Sequence, residues 1–154
     1  MTAKKIATLI LTLFLVSTVA FMINKIIDDN EISDTLSSTE LPDNVDVLYY
    51  FYTDYRCETC ELIEKNTGET VNEYFSEEIK NGSLIWKALN TDEKENEHFL
   101  EDYELYSKAV VLVKIRDGEE IKFKNLEMIW ELAYEESEFK KYISDEVKDF
   151  IKDN

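Results

Sequence analysis

The chain of 154 residues is 44% hydrophobic, contains three glycines and one proline, and carries a formal net charge of −17. So few chain-breaking residues favour a folded chain over a disordered one, and the length fits one domain plus an accessory segment. The excess of acid excludes binding to nucleic acid or to an anionic lipid surface through a basic patch, because both would repel this chain.

The chain begins with an apolar segment. Lys4 and Lys5 precede residues 6–23, which carry no charge, and Lys25 follows. This pattern predicts a membrane anchor within residues 1–27, with the N-terminus in the cytoplasm and the remainder on the extracytoplasmic side. The alternative is a signal peptide cleaved at the weak small-residue site of residues 18–20, which would release a secreted protein. Both alternatives predict an exported domain, in a compartment where disulfides persist.

Residues 28–44 are polar and acidic, are rich in serine and threonine, and have no apolar periodicity. They are predicted to form a flexible linker that ends near Pro42. Residues 45–154 are predicted to form the folded domain. Its first strand is expected at residues 45–53, where nearly every side chain is apolar or aromatic, which is typical of a strand covered on both faces.

The two cysteines of the chain follow that strand directly, as Cys57-Glu58-Thr59-Cys60. The apolar residues after them recur at helical spacing, so the motif is predicted to lie where a strand leads into a helix. The unpaired N–H groups and the dipole of a helix N-terminus favour a thiolate at Cys57, and Cys60 lies one turn further on the same side. This arrangement is typical of thiol–disulfide chemistry.

Two other interpretations of the cysteine pair remain open. A structural disulfide across two residues would remove little chain entropy from the unfolded state. A metal site would have only two thiols, because the single histidine, His98, lies among acidic residues on a predicted polar helix face. Two thiolates could hold a trivalent arsenical or a copper ion, but they cannot fill a four-coordinate zinc site within one chain. No cofactor is predicted.

Residues next to the cysteines are candidates for modulating them. Arg56 could stabilise the Cys57 thiolate, whereas Glu58 would oppose it. Thr59 lies between the cysteines. Tyr55 belongs to a group of tyrosines that could shape a site for an aromatic substrate or pack against the strand.

The rest of the chain alternates between strand and helix patterns. Gly68 is predicted to kink or split the first helix, and Asp117-Gly118 is a hairpin turn signal. Trp86 and Trp130 are interpreted as core residues. Further strands are predicted at residues 83–90, 109–115 and 119–124, and helices up to Asn81, over residues 92–105, from a cap at Asn125, and from about residue 137. The order β-α-β-α-β-β-α predicts a mixed α/β sheet.

This order, with the cysteine motif at the first strand–helix junction, resembles the thioredoxin fold over residues 45–135. Four segments resemble, more narrowly, small thioredoxin-like proteins labelled as subunits of a nitrophenyl-compound nitroreductase in arsenical-resistance systems. These segments are Tyr49-Tyr50-Phe51-Tyr52, Arg56-Cys57-x-x-Cys60, Asn90-Thr91-Asp92 and Phe99-Leu100-Glu101-Asp102-Tyr103-x-Leu105-Tyr106. The resemblance implies an α/β thioredoxin-like domain in which Cys57 and Cys60 exchange with a protein partner.

The chain departs from the thioredoxin pattern at two positions. Thioredoxins place a cis-proline before the third core strand, where it helps hold the substrate backbone, and Val110 stands at that position here. They also carry a buried acid late in the first strand that helps deprotonate the second cysteine, and Phe51 stands there. The cysteine pair matches the pattern, but the substrate platform and the proton relay do not.

The sequence therefore predicts a membrane-anchored, extracytoplasmic thiol–disulfide exchange protein. Cys57 would form a mixed disulfide with a protein partner, and Cys60 would resolve it. The alternative is a non-catalytic accessory or binding subunit whose two thiols hold a soft metal or arsenical, or assist a partner reductase.

Overall fold

The computed structural model describes residues 41–153, and the predicted anchor and most of the predicted linker lie outside them. The part of the chain from Leu41 onward forms one compact unit. Its elements are β1 (Val45–Tyr52), α1 (Glu58–Tyr74), α2 (Ser76–Asn81), β2 (Leu84–Asn90), α3 (Phe99–Asp102), β3 (Ala109–Arg116), β4 (Glu119–Asn125), a 3₁₀ turn (Glu127–Ile129) and α4 (Glu136–Lys152). None of the helices within residues 41–153 is both long enough and apolar enough to cross a membrane.

The four strands form one mixed sheet in the order β2-β1-β3-β4. β1 pairs in parallel with β2 and antiparallel with β3, and β3 pairs antiparallel with β4. Seven of the eight β1 residues are buried, because this strand is central and both of its faces are covered. The mixed α/β sheet predicted from the sequence is confirmed, and it is consistent with a thioredoxin-like fold.

One face of the sheet packs against the helices. Leu48 and Tyr50 of β1 and Leu112 of β3 contribute to this core, together with apolar side chains of α1, α4 and the segment between β4 and α4. α1 and α4 lie side by side in the same direction. Lys140 of α4 forms an ion pair with Glu69 of α1, and further along both helices the Lys148 ammonium lies over the Tyr74 ring. Burial of this continuous apolar surface is the main stabilising contribution to the helical layer.

The opposite face carries an aromatic core. Tyr49 and Phe51 point to this side, where Phe99 and Tyr103 from the segment before β3 cover them. The ring centroids of Phe51 and Phe99 lie 5.1 Å apart, and those of Phe51 and Tyr103 lie 5.7 Å apart, which is the usual range for tilted aromatic pairs. Alternate residues of β1 therefore supply two different cores.

Several predicted helix features are wrong in detail. Residues 92–105 form turns and the single helical turn of α3 instead of one long helix. α1 continues through Gly68 and ends at Tyr74, because the next residue, Phe75, has a φ of −131°, which is not helical. Asn125 is the last residue of β4 and does not cap a helix, since only a 3₁₀ turn follows it.

The two tryptophans differ from the core positions predicted for them. Trp130 is 39% exposed, and its indole N–H donates to the backbone carbonyl of Lys108 at 3.1 Å. Trp86 is only partly buried and packs against the helical core, over Gly68. Their apolar character suggested burial, but each tryptophan has an N–H that needs a partner or water.

Candidate redox site

The cysteine motif lies at the N-terminus of α1, as predicted. Cys57 is the N-cap residue with extended backbone angles, and its sulfur accepts a hydrogen bond from the Cys60 N–H at 3.2 Å. Cys57 and Cys60 form a disulfide with their Cα atoms 5.0 Å apart. In the reduced protein, the same N–H would donate to a Cys57 thiolate, which a helix N-terminus stabilises.

The two sulfurs differ in their access to solvent. Cys57 is partly exposed, whereas Cys60 is fully buried, with 0% of its surface accessible. Cys57 is therefore the cysteine that a partner can approach from solvent, whereas Cys60 is shielded from solvent. This arrangement can support attack at one sulfur and resolution by the other.

Tyr50 lies beneath the motif; from the sequence it was only one of the tyrosines that could shape an aromatic site or pack against the strand. Its hydroxyl donates to the Cys60 carbonyl at 2.9 Å. Burial raises the pKa of Tyr50 to about 12; the Glu64 carboxylate raises it too, and the Arg56 guanidinium opposes the shift. Tyr50 therefore remains a neutral hydrogen-bond donor over the whole physiological pH range.

Phe51, the position matched to the acid of thioredoxins, points into the aromatic core on the other face of the sheet. The β1 residue that faces the second cysteine is its neighbour, Tyr50. Sequence alternation could not make this distinction, because β1 is apolar or aromatic on both faces.

Arg56 precedes Cys57 in the sequence, but its charged group contacts Glu64 and Tyr52. Its guanidinium forms an ion pair with Glu64 of α1 and lies 4.5 Å from the centroid of the Tyr52 ring. The hydrogen bond that Arg56 donates to Glu64 raises the pKa of Arg56, which is charged at any accessible pH. The positive charge next to Cys57 is therefore largely compensated by Glu64.

The other candidate residues occupy different surroundings. Glu58 is exposed. The hydroxyls of Thr59 and Tyr134 are 2.8 Å apart. Tyr55 is 74% exposed, and the Lys108 ammonium lies 5.2 Å from its ring centroid. These residues therefore line the accessible surface around the motif.

Val110 lies close to the motif but inside the sheet. It pairs with Tyr50 across β1 and β3, its side chain is fully buried, and its carbonyl accepts from the Leu126 N–H at 2.9 Å. Within residues 41–153 all peptide bonds are trans. The Val110 side chain is therefore unable to touch a partner bound at the surface.

The site offers few metal ligands. No group of three or more His, Cys, Asp or Glu side chains in the described part of the chain is arranged to hold a metal ion. His98 is exposed and directly precedes α3, and its Nδ1 lies 2.7 Å from Oδ2 of Asp102, within hydrogen-bond distance. The structure therefore places His98 in contact with Asp102 and brings it to no group of metal ligands within residues 41–153.

Comparison with known proteins finds similar solved structures at low identity. The chain is similar to mitochondrial thioredoxin 3 from Saccharomyces cerevisiae in its oxidized form, with 16% identity, a TM-score of 0.40, and coverage of 68% of this chain and 82% of that one. It is similar to thioredoxin O2 from Arabidopsis thaliana in its oxidized state, with 16% identity, a TM-score of 0.38, and coverage of 71% and 86%.

A third similar structure is described as that of a malarial protein, with 14% identity, a TM-score of 0.36, and coverage of 53% of this chain and 81% of that one. No protein-family model matches the chain, and no curated protein sequence matches it. These distant likenesses give no support to the narrower resemblance to nitroreductase subunits.

Proposed function

We propose that this chain is a thioredoxin-like thiol–disulfide exchange protein that reacts with a protein partner. The observation that carries the proposal is the unequal exposure of the two cysteines: Cys57 is partly exposed at a helix N-terminus, and Cys60 is fully buried. A purely structural disulfide does not require its two cysteines to differ in exposure. Thiol–disulfide exchange does, because one cysteine must be accessible to the partner and the other resolves the mixed disulfide.

The proposed reaction is a two-step transfer of two electrons. The reduced Cys57 thiolate attacks one sulfur of a partner disulfide, a mixed disulfide forms, and the partner's other sulfur leaves as a thiolate that takes a proton. Cys60 loses its proton and attacks the Cys57 sulfur, which releases the partner's second thiol. The protein ends with its own disulfide and the partner with two thiols, and every step is reversible.

A measurement of the reduction potential of the Cys57/Cys60 pair, made on the full chain, tests this proposal. A value between about −120 and −270 mV is expected, which is the range of exchangeable pairs. A value below about −300 mV would identify a structural disulfide and would end the proposal.

Trapping provides the second readout. Cys60→Ala should leave a partner linked to Cys57, because the resolving thiol is absent. Cys57→Ala is the matched control, since it keeps one cysteine but only the buried one, and it should trap nothing. Equal trapping by both variants would contradict the assigned roles.

A second candidate function follows from the position of Val110. Because its side chain is buried within the sheet, the site lacks the proline platform of the resembled fold. The reduced thiols would then hold a soft metal or an arsenical in an accessory subunit, or assist a partner reductase. Titration of the reduced full chain with arsenite or Cu(I) should give one equivalent bound through both thiols if this alternative is correct, and no binding if it is not.

For the location of the protein, we propose a membrane anchor within residues 1–27 and a domain on the extracytoplasmic side. The uncharged segment of residues 6–23 and its preceding lysines support this proposal. A reporter fused after Asn154 tests it: activity of a reporter that works only outside the cytoplasm is expected. Release of the protein from membranes would instead favour the cleaved, secreted form.

A further inference from the structure

Two clefts share the loop of residues 106–108, whose Lys108 contacts Tyr55, two residues before Cys57. The first has a volume of about 210 Å³ and lies between this loop and the segment after β4, where Glu104, Glu127 and Trp130 contribute to its walls. The second also has a volume of about 210 Å³ and lies between the same loop and the carboxyl end of β1, where Asp92 lines it. We refer to them together as the flanking clefts.

Exposed aromatic residues connect the flanking clefts with Cys57. Tyr106, in the shared loop, is 97% exposed. Lys108 of the same loop contacts Tyr55, two residues before Cys57, and its carbonyl accepts from Trp130. Tyr55 and Lys108 therefore connect the segment just before Cys57 with the loop that lines both clefts.

The charge of this surface is predominantly negative. Glu104, Glu127 and Asp92 are exposed, and within residues 41–153 none of them belongs to an ion pair. Glu58, between the cysteines, is also exposed, and it too belongs to no ion pair within residues 41–153. The cation that lines both clefts, Lys108, lies over the Tyr55 ring.

Aromatic faces next to carboxylates bind cationic side chains. A lysine or arginine gains cation–π energy over an exposed tyrosine or tryptophan, and an ion pair with a carboxylate adds to the attraction. Such complementarity mainly raises the rate of association and selects among partners. An acidic partner would be repelled by the same groups.

We infer that the partner segment around the reacting cysteine is rich in lysine or arginine and lies extended over the flanking clefts. This inference rests on the proposed exchange function and names the class of its partner. Recognition depends on the acidic clefts at this end of the molecule, and not on its overall negative charge alone.

Exchange with three synthetic peptides tests the inference. The peptides have equal length and carry the same disulfide, flanked by lysines, by serines or by glutamates. The full chain in detergent micelles is first reduced with a small dithiol, which is then removed, and the rate of peptide reduction is measured as the protein dithiol becomes a disulfide.

The lysine peptide is expected to react about tenfold faster than the serine peptide at low salt, and the glutamate peptide more slowly than either. The differences should shrink at about 1 M salt, where the screening length falls to about 3 Å. Equal rates for the lysine and serine peptides would overturn the inference but leave exchange itself intact. Absence of reaction with every peptide would overturn both the inference and the proposed function.

A matched pair of variants separates the clefts from the net charge. The double variant Glu104→Gln, Glu127→Gln should lose most of the preference for the lysine peptide. The double variant Glu73→Gln, Glu77→Gln changes the net charge by the same amount at exposed positions far from Cys57 and should keep the preference. Equal losses in the two variants would assign the preference to the whole molecule and contradict a site in the clefts.

Discussion

At the scale of single residues, the pair of Arg56 and Glu64 controls the charge next to the accessible cysteine. The sequence suggested that Arg56 would stabilise a Cys57 thiolate, but the structure gives the guanidinium a carboxylate partner on α1 and an aromatic ring below it. Within this pair the charges largely cancel, so the remaining stabilisation comes from the N–H groups at the start of α1.

Removal of the Glu64 carboxylate should leave the positive charge of Arg56 without its counter-ion. In the variant Glu64→Gln, the pH midpoint for alkylation of Cys57 in the reduced protein should move down, because the guanidinium loses its counter-ion. The alkylation rate near neutral pH should rise about two- to fivefold. The rate is measured with iodoacetamide over a series of pH values.

Glu69→Gln is the control for this prediction. It removes the same charge from the same helix, but from a carboxylate that Lys65 and Lys140 hold further from the motif. A shift of equal size in this control, or no shift in Glu64→Gln, would show that Arg56 does not act on Cys57.

The position of the cysteine motif could be predicted from the sequence, but the contacts around it could not. The spacing of Cys57 and Cys60 and the apolar strand before them were sufficient to place the motif at a helix N-terminus. The Arg56–Glu64 pair could not be predicted, because the residues are eight positions apart and only the turn into α1 brings them together. The hydrogen bond from Tyr50 to Cys60 could not be predicted, because a strand buried on both faces gives no signal for which side chain faces the helix.

At the scale of elements, Gly68 illustrates how packing decides what a glycine does. It was predicted to kink the first helix, yet α1 is continuous there, and a Cβ built at Gly68 would lie 3.4 Å from the indole nitrogen of Trp86. Gly82 has a different role, since its φ of 76° ends α2 in the left-handed region.

The two glycines should therefore respond oppositely to alanine. Gly68→Ala should raise the free energy of unfolding by about 0.5–1 kcal/mol, because alanine is the better helix former and its methyl group just fits beside Trp86. Gly82→Ala should lower it by about 1 kcal/mol, because alanine is strained at positive φ. Urea denaturation of the two variants checks both signs, and destabilisation by Gly68→Ala would mean that the Trp86 contact cannot relax.

The predicted helix at residues 92–105 failed because side chains compete for the backbone in this segment. The side-chain amide of Asn96 donates to the backbone carbonyl of Asn90 at 3.0 Å. The side-chain oxygen of Asn90 accepts from the backbone N–H of Asp92 at 3.1 Å. Such local bonds favour turns over a helix. The aromatic residues that suggested helical periodicity, Phe99 and Tyr103, turn inward onto the sheet instead.

At the scale of the whole molecule, the sheet has a reactive end and an ionic end. The disulfide lies beyond the carboxyl end of β1, and a buried ionic cluster lies at the start of the same strand. In this cluster, Lys114 is 2% exposed, with its ammonium 3.8 Å from Asp46 Oδ1 and bonded to the Asp153 carbonyl. Arg116 lies 3.1 Å from the same carboxylate oxygen, which is an ion-pair contact without the alignment of a hydrogen bond.

Lys114 connects β1, β3 and the end of α4, so its loss should be costly. Lys114→Met should lower the free energy of unfolding by about 3 kcal/mol, because it leaves Asp46 buried with only Arg116 and leaves the Asp153 carbonyl without its donor. Chemical denaturation measures this change. The potential of the distant disulfide should stay unchanged in molecules that remain folded.

Lys122→Met provides the matched control for the ionic cluster. Lys122 also pairs with Asp153, but both side chains are well exposed, so its removal should cost less than about 1 kcal/mol. Equal costs for the two lysines would mean that burial adds nothing to the contribution of Lys114. This cluster could not be predicted from the sequence, because Lys114 lies within an apolar strand pattern and its partners are distant in the chain.

The unequal access to the two sulfurs has a geometric consequence. A thiolate displaces a sulfur from a disulfide by approaching along the line of the bond, on the side opposite the leaving atom. Because Cys60 is fully buried and Cys57 is partly exposed, a partner thiolate attacks the Cys57 sulfur and Cys60 is the group that leaves. Any covalent complex made here will therefore join one partner sulfur to Cys57.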